Sequence, residues 1–135
     1  MALITWSDNY SVNINEIDKQ HQKLVGLVNS LHDGMKVGKG KELLGGILNE
    51  LVNYTAFHFG CEEKLFDQYL YPETKTHKRE HSDLVEQVMT YKKSYESGNS
   101  ILSMEIMNFL KDWLTNHIVG SDKKYSTFLN SKGIR

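Results

Sequence analysis

The sequence predicts an all-α fold, an up-down-up-down antiparallel four-helix bundle with an extended N-terminal arm and a short C-terminal helix. Three observations lead to it. Apolar residues recur at helical spacing in four long segments, and no strand-like alternation runs for more than a few residues. Turn signals separate those segments: Gly38-Lys39-Gly40, Leu70-Tyr71-Pro72 and Gly98-Asn99-Ser100. The histidines supply the third observation. In antiparallel neighbours, residues at one height are mirror images about the loop between them. His21 and His58 have their midpoint at 39.5, His58 and His81 at 69.5, and His81 and His117 at 99. Each midpoint falls in or beside a turn signal, so short loops and antiparallel packing account for all of them.

The elements follow in order. Residues 1–17 read as an arm carrying Trp6 and Tyr10. A first helix over about 18–37 starts with Asp18 as N-cap and continues through Leu24, Val25, Val28, Leu31 and Met35. A second, over about 41–69, places Leu44, Ile47, Leu51, Tyr54 and His58 on one stripe. Gly45, Gly46 and Gly60 within it each cost roughly 1 kcal/mol against alanine, which predicts close packing or a slight bend there. Pro72 separates it from a third helix over about 73–96, where Leu84, Val88, Tyr91 and Tyr95 extend the stripe of His77 and His81. The fourth, over about 101–119, carries Leu102, Ile106, Phe109, Leu110, Trp113 and Leu114, and Gly120 is expected to end it. Residues 121–130 form the short terminal helix. Residues 1–135 are read as a single domain.

Composition narrows the function. The chain is 39% hydrophobic and 24% charged with a formal net charge of −1, values ordinary for a soluble globular protein. The charge balance leaves no electrostatic footprint for nucleic acid or an anionic membrane. No apolar run approaches the roughly 20 residues needed to span a bilayer, and the N-terminus lacks the features of a secretory signal. The single cysteine, Cys61, excludes an internal disulfide framework and suits a reducing compartment; a cytoplasmic location and a monomer are the expectations.

His58-x3-Glu62 and His77-x3-His81 are i,i+4 pairs, each on one helix face. His21, His117 and Asp122 complete a set of seven donors that the mirror relation brings to one level. Five imidazoles and two carboxylates exceed the four ligands of a structural zinc, and calcium or magnesium prefers oxygen donors. A mixed set of this size suits two ions of iron or manganese. Two octahedral ions offer roughly twelve positions. The imidazoles, two bridging carboxylates and one oxo or hydroxo bridge fill all but one. The vacancy falls on the ion with two histidines. A histidine-rich, carboxylate-poor set favours holding O2 as peroxide over cleaving it. Leu24, Phe59, Trp113, Leu114 and Ile118 are large apolar neighbours that admit O2 and exclude anions.

The Asp122 spacing is irregular. Five residues of α-helix turn about 500°, some 140° away from the His117 face, and Gly120 is expected to permit the necessary distortion. Among the other titratable residues, His32 is expected to be an ordinary polar side chain and Cys61 an inert thiol. Glu63 and Glu80 are expected to be solvated, or to serve at most as hydrogen-bond partners of the ligands.

These residues together resemble the hemerythrin family, particularly its single-domain bacterial members. The resemblance rests on Trp6, Asp18-x2-His21-Gln22-x-Leu24, His58-Phe59-x2-Glu62-Glu63, Tyr71-Pro72, His77-x2-Glu80-His81 and His117-Ile118-x3-Asp122-x2-Tyr125. Phe66 departs from the family pattern, where methionine is frequent, and is expected to alter packing only. The resemblance implies that His77, His81 and His117 hold a coordinatively full iron, that His21 and His58 hold the iron with the vacancy, and that Glu62 and Asp122 bridge them beside an oxo or hydroxo group. It implies reversible O2 carriage, storage or delivery, with O2 bound as hydroperoxide in a pocket that Tyr125 also walls. An O2-consuming enzyme would be the recipient. The alternatives are a di-iron redox enzyme reducing peroxide or nitric oxide, an oxygen or redox sensor, an iron store, and a structural zinc bundle.

Overall fold

The computed structural model describes residues 3–97 and 103–135 and, among them, contains helices and no strand. Four long helices form the bundle: α1 (Asn15–Lys36), α2 (Gly40–Tyr69), α3 (Thr74–Glu96) and α4 (Ser103–Asn116). Helix α1 packs against α2 and α4, and α2 against α3. After α4 the chain passes through a π-helical turn (His117–Asp122) and runs on into α5 (Lys123–Ser131). The predicted fold class is therefore observed. The turn signal at 98–100 and the predicted start of the fourth helix at Ile101 and Leu102 lie outside the described residues.

Three boundaries differ from expectation. Helix α1 begins three residues earlier than predicted, at Asn15, with Ile14 as an N-cap that makes no side-chain bond. Asp18, expected to be that cap, instead lies inside the first turn and turns its carboxylate back onto the arm. It accepts hydrogen bonds from the Ser11 hydroxyl at 2.6 Å and from the Val12 N–H at 2.8 Å. The arm is not wholly extended, because Asp8–Tyr10 form a 3₁₀ turn and Asn13 adopts a left-handed φ of 56°, a conformation that asparagine tolerates. Gly120 does not end α4: the backbone continues helically through it.

The local chemistry accounts for the rest. Leu70 closes α2 in a left-handed conformation, φ 56°, and its N–H returns to the Phe66 carbonyl. At Gly45 an added Cβ would stand 2.6 Å from the Tyr95 ring, so this glycine is the close approach predicted for the second helix. Gly46 and Gly60 have open space at that position.

The apolar interior is divided. One cluster, including Leu24, Val28, Leu31, Leu48, Leu51, Leu84, Ile106, Leu110 and Leu114, fills the end near the α1–α2 loop. A smaller one, Val12, Ile14, Ile17, Phe66, Tyr71, Tyr125 and Leu129, closes the other end. Between them lies a layer of buried polar side chains.

A candidate two-ion metal centre

That layer contains the seven predicted donors. His21, His58, Glu62, His77, His81, His117 and Asp122 are each at most 5% exposed. Their donor atoms fall into two groups: Glu62, His77, His81, His117 and Asp122 in one, and His21, His58, Glu62 and Asp122 in the other. Within each group the atoms lie within 4.8 Å of one another. Glu62 and Asp122 belong to both. The Asp122 oxygens divide between the groups: Oδ2 is 2.9 Å from His21 Nε2, while Oδ1 is 3.0 Å from both His77 Nε2 and His117 Nε2. Glu62 Oε1 stands 3.1 Å from His81 Nε2 and 3.4 Å from His58 Nε2, and Oε2 is 3.8 Å from His21 Nε2.

The π-helical turn explains how Asp122 arrives. Ordinary α-geometry points position i+5 away from position i. The wider i→i+5 bonding of a π segment brings it back to the same face, and the segment here begins at His117 and ends at Asp122. The distortion foreseen from the spacing is present, but it occupies the whole six-residue turn rather than a break at Gly120.

The arrangement fits metal ions. Among the described residues, Nε2 of His21, His77, His81 and His117, Glu62 Oε1 and both Asp122 oxygens are buried and have no hydrogen-bond partner. Buried groups of this kind are rare without a compensating partner. Donors about 2.1 Å from an octahedral ion stand roughly 3.0 Å apart at adjacent positions, close to the separations of Asp122 from His21, His77 and His117 and of Glu62 from His81. The electrostatics agree. Burial pulls His21 and His117 down, but the Asp122 carboxylate outweighs it and raises them to about 9 and about 10. Burial dominates at His58 and lowers it to about 4. Burial pushes both carboxylates up, yet the surrounding imidazoles hold them well below the usual range. The layer carries compensating charge with no internal hydrogen-bond network.

Beyond the donors, each orienting partner is the chain neighbour of a donor on the adjacent helix. Gln20, beside His21, accepts from His58 Nδ1 at 2.6 Å. Glu63, beside Glu62, accepts from His81 Nδ1 at 2.8 Å. Glu80, beside His81, accepts from His117 Nδ1 at 3.0 Å and from the Ser121 hydroxyl at 2.5 Å. These oxygens can only accept, so the Nδ1 atoms carry the protons and the Nε2 lone pairs face the centre. Residue i±1 is rotated about 100° from a donor, toward the next helix. A polar residue flanking each donor was the available signal, and Gln20 was missed. Two of the donor rings also carry aromatic covers. Phe59 stacks on His81 at 3.7 Å and 4°, and Trp113 on His117 at 4.3 Å and 17°.

One turn from the donor layer lies a cavity of about 20 Å³, enough for one diatomic or water-sized molecule. Leu24, Thr55, Leu84 and Leu114 line it. They sit three residues from His21, His58, His81 and His117 respectively, all displaced in the same direction along the bundle. The Thr55 hydroxyl is donated to the Leu51 carbonyl at 2.6 Å, which leaves the walls effectively apolar. Of the predicted pocket residues, Leu24, Trp113 and Leu114 line this cavity. Ile118 is buried in the same cluster without lining it, and Phe59 faces an open groove beside Glu63 and Ser82. Tyr125 departs from expectation. It lies past the π turn, in the opposite apolar cluster, and its hydroxyl donates a hydrogen bond to Glu62 Oε2. Phe66 packs edge-on against His77 at 4.8 Å. His32 and Cys61 take no part in either donor group.

Comparison with known proteins gives the same result. The hemerythrin HHE cation binding domain matches residues 12–129. A bacteriohemerythrin of Stenotrophomonas maltophilia is 35% identical over 93% of this chain and 81% of its own. Another, from Methylococcus capsulatus, is 33% identical over 97% of this chain and 100% of its own. A solved wild-type hemerythrin superposes with a TM-score of 0.85 at 32% identity, covering 93% of this chain and 97% of that one. With the seven donors at one level of an antiparallel bundle and a family match over most of its length, this chain belongs to the hemerythrin family.

Proposed function

We propose that the centre holds two iron ions and binds O2 reversibly. His77, His81 and His117 hold the ion that the protein saturates, His21 and His58 hold the ion with an open position, and Glu62 and Asp122 bridge the two, beside an oxo or hydroxo group. The observation that carries this reading is the divided Asp122 carboxylate, with one oxygen 2.9 Å from His21 and the other 3.0 Å from His77 and His117. One carboxylate facing both donor groups is the arrangement that two neighbouring ions require. The iron pair supplies electrons and the open position. The chain's own part is to aim the Nε2 lone pairs through Gln20, Glu63 and Glu80, and to keep the adjacent cavity small and apolar.

That cavity favours a carrier over an enzyme, since about 20 Å³ admits a diatomic and little else. The buried Thr55 hydroxyl in its wall is committed to the Leu51 carbonyl and that of Tyr125 to Glu62, so neither is free to protonate a substrate. We take the protein to act in the cytoplasm as a monomer that delivers O2 to an O2-consuming enzyme. The lone cysteine supports this, as do exposed large apolar residues that are spread along the chain from Val37 to Val119. No described helix is long and apolar enough to cross a membrane.

An anaerobic-to-aerobic optical titration of iron-loaded protein, with metal content measured alongside, tests the function. Two irons per chain and a charge-transfer band that vanishes when O2 is removed are expected. Two irons that pass at once and irreversibly to the diferric state would overturn the carrier reading in favour of a redox enzyme or sensor.

A further inference from the structure

The hydrogen bonds behind the ligands are not equivalent for the two ions. In the three-histidine group, two rings lean on carboxylates: His81 on Glu63 at 2.8 Å and His117 on Glu80 at 3.0 Å. Glu80 is itself held in place by Ser121. In the two-histidine group, His58 leans on the neutral amide of Gln20 at 2.6 Å, and the buried Nδ1 of His21 has no hydrogen-bond partner among the described residues. An anionic acceptor on Nδ1–H makes the opposite nitrogen a stronger donor, and a stronger donor stabilises the more highly charged ion. A neutral amide orients the ring without adding that charge. Glu62 and Asp122 are shared by both groups, so they do not create the difference.

Resting on the two-iron reading above, we infer that Glu63 and Glu80 are positioning residues that set the order of oxidation, so that the first electron leaves the ion held by His77, His81 and His117. The two-histidine ion is then the last to become ferric, which keeps the ion bearing the open position reduced for longest. In a titration with ferricyanide the step balances simply: one ferrous ion becomes ferric and one ferricyanide becomes ferrocyanide.

The test is a redox titration of the iron-loaded protein, following two successive one-electron couples with metal content measured in every variant. Glu63→Gln and Glu80→Gln keep shape and hydrogen-bonding capacity while removing charge. Each is expected to lower the oxidised-to-reduced ratio of the first couple about tenfold at fixed potential, which is a rise of about 59 mV for one electron. Gln20→Met, which removes the acceptor behind His58, is expected to leave the first couple within about twofold and to move the second. The electron paramagnetic resonance signal of the half-oxidised protein should change in the glutamate variants and be preserved in Gln20→Met. If both glutamate variants retain two irons and leave the first couple within twofold, or if Gln20→Met moves it as far as they do, the inference is overturned. A wild-type chain that fails to hold two irons would instead overturn the two-iron reading itself.

Discussion

Inserting one alanine after Gly120 tests whether residue count, and not glycine, builds the centre. The π turn places one more residue between His117 and Asp122 than an α-helical pair would have. It absorbs that one residue and no more, so a further one rotates everything downstream by about 100° and shifts it by about 1.5 Å. Helix α5 buries Tyr125 and Leu129 completely, and burial of such side chains is worth roughly 1.5–3 kcal/mol each. The rotation also breaks the hydrogen bond from Tyr125 to the Glu62 carboxylate, a charged-acceptor bond of about 1.5–3 kcal/mol. Part of the apolar surface finds new cover, so the net loss is about 5 kcal/mol, or a fall in Tm of roughly 15–25 °C for a domain of this size. Iron content should drop below two per chain, because the downstream half of the bridge has turned away. Thermal melts and metal analysis of the insertion and of Gly120→Ala provide the assay. The alanine variant should melt at or slightly above wild type, since a Cβ at position 120 meets nothing within 4 Å and alanine favours helix by roughly 0.5–1 kcal/mol. An insertion variant that keeps two irons and melts within about 5 °C of wild type would refute the reasoning.

Three further outcomes are expected. His117→Ala should lose iron while the bundle stays folded, checked by metal analysis beside far-ultraviolet circular dichroism; unchanged iron content would remove it from the donor set. Leu114→Ala, at a buried site that lines the cavity, should cost about 2–5 kcal/mol in denaturant unfolding and speed oxidation to the diferric form, which stopped-flow absorbance would follow. pH should act oppositely on the two forms. In the metal-free protein His21 and His117 are raised to about 9 and about 10. Their protonated forms therefore stabilise the fold fully below about pH 6.5, and that contribution fades as pH rises through 9 and 10. Iron must displace those protons, so loading at neutral pH should release about two of them and weaken on the order of 100-fold per unit of acidification. Melting curves against pH and calorimetry in buffers of different ionisation heat read both effects.

Much of the centre was legible because antiparallel helices impose arithmetic on the chain. Residues equidistant from a loop meet, so His21, His58, His81 and His117 could be set at one height from their numbers, with Glu62 and His77 sharing the second midpoint. Asp122 resisted because its position depends on helix type, which no local propensity encodes; the five-residue spacing signalled a distortion without giving its form. Tyr125 was misplaced for the same reason, since its direction is set by the π turn before it. The start of α1 was misread because Asp18 has the chemistry of a cap and uses it on Ser11 and Val12 instead. The partners of the ligand histidines were only half visible. Glu63 and Glu80 were weighed in that role and Gln20 was not, because a side chain that reaches across to another helix leaves no periodicity in its own.

The polar layer between the two apolar clusters has a consequence for how the molecule comes apart. Each cluster is cohesive by itself, but the seam joining them consists of side chains that repel water poorly and grip one another poorly. Iron acts there as a rivet, turning two half-bundles into one cooperative body. Stripped of metal, the half around Tyr125 and Leu129 should open independently of the larger one, and amide exchange should resolve two rates where the loaded protein has one.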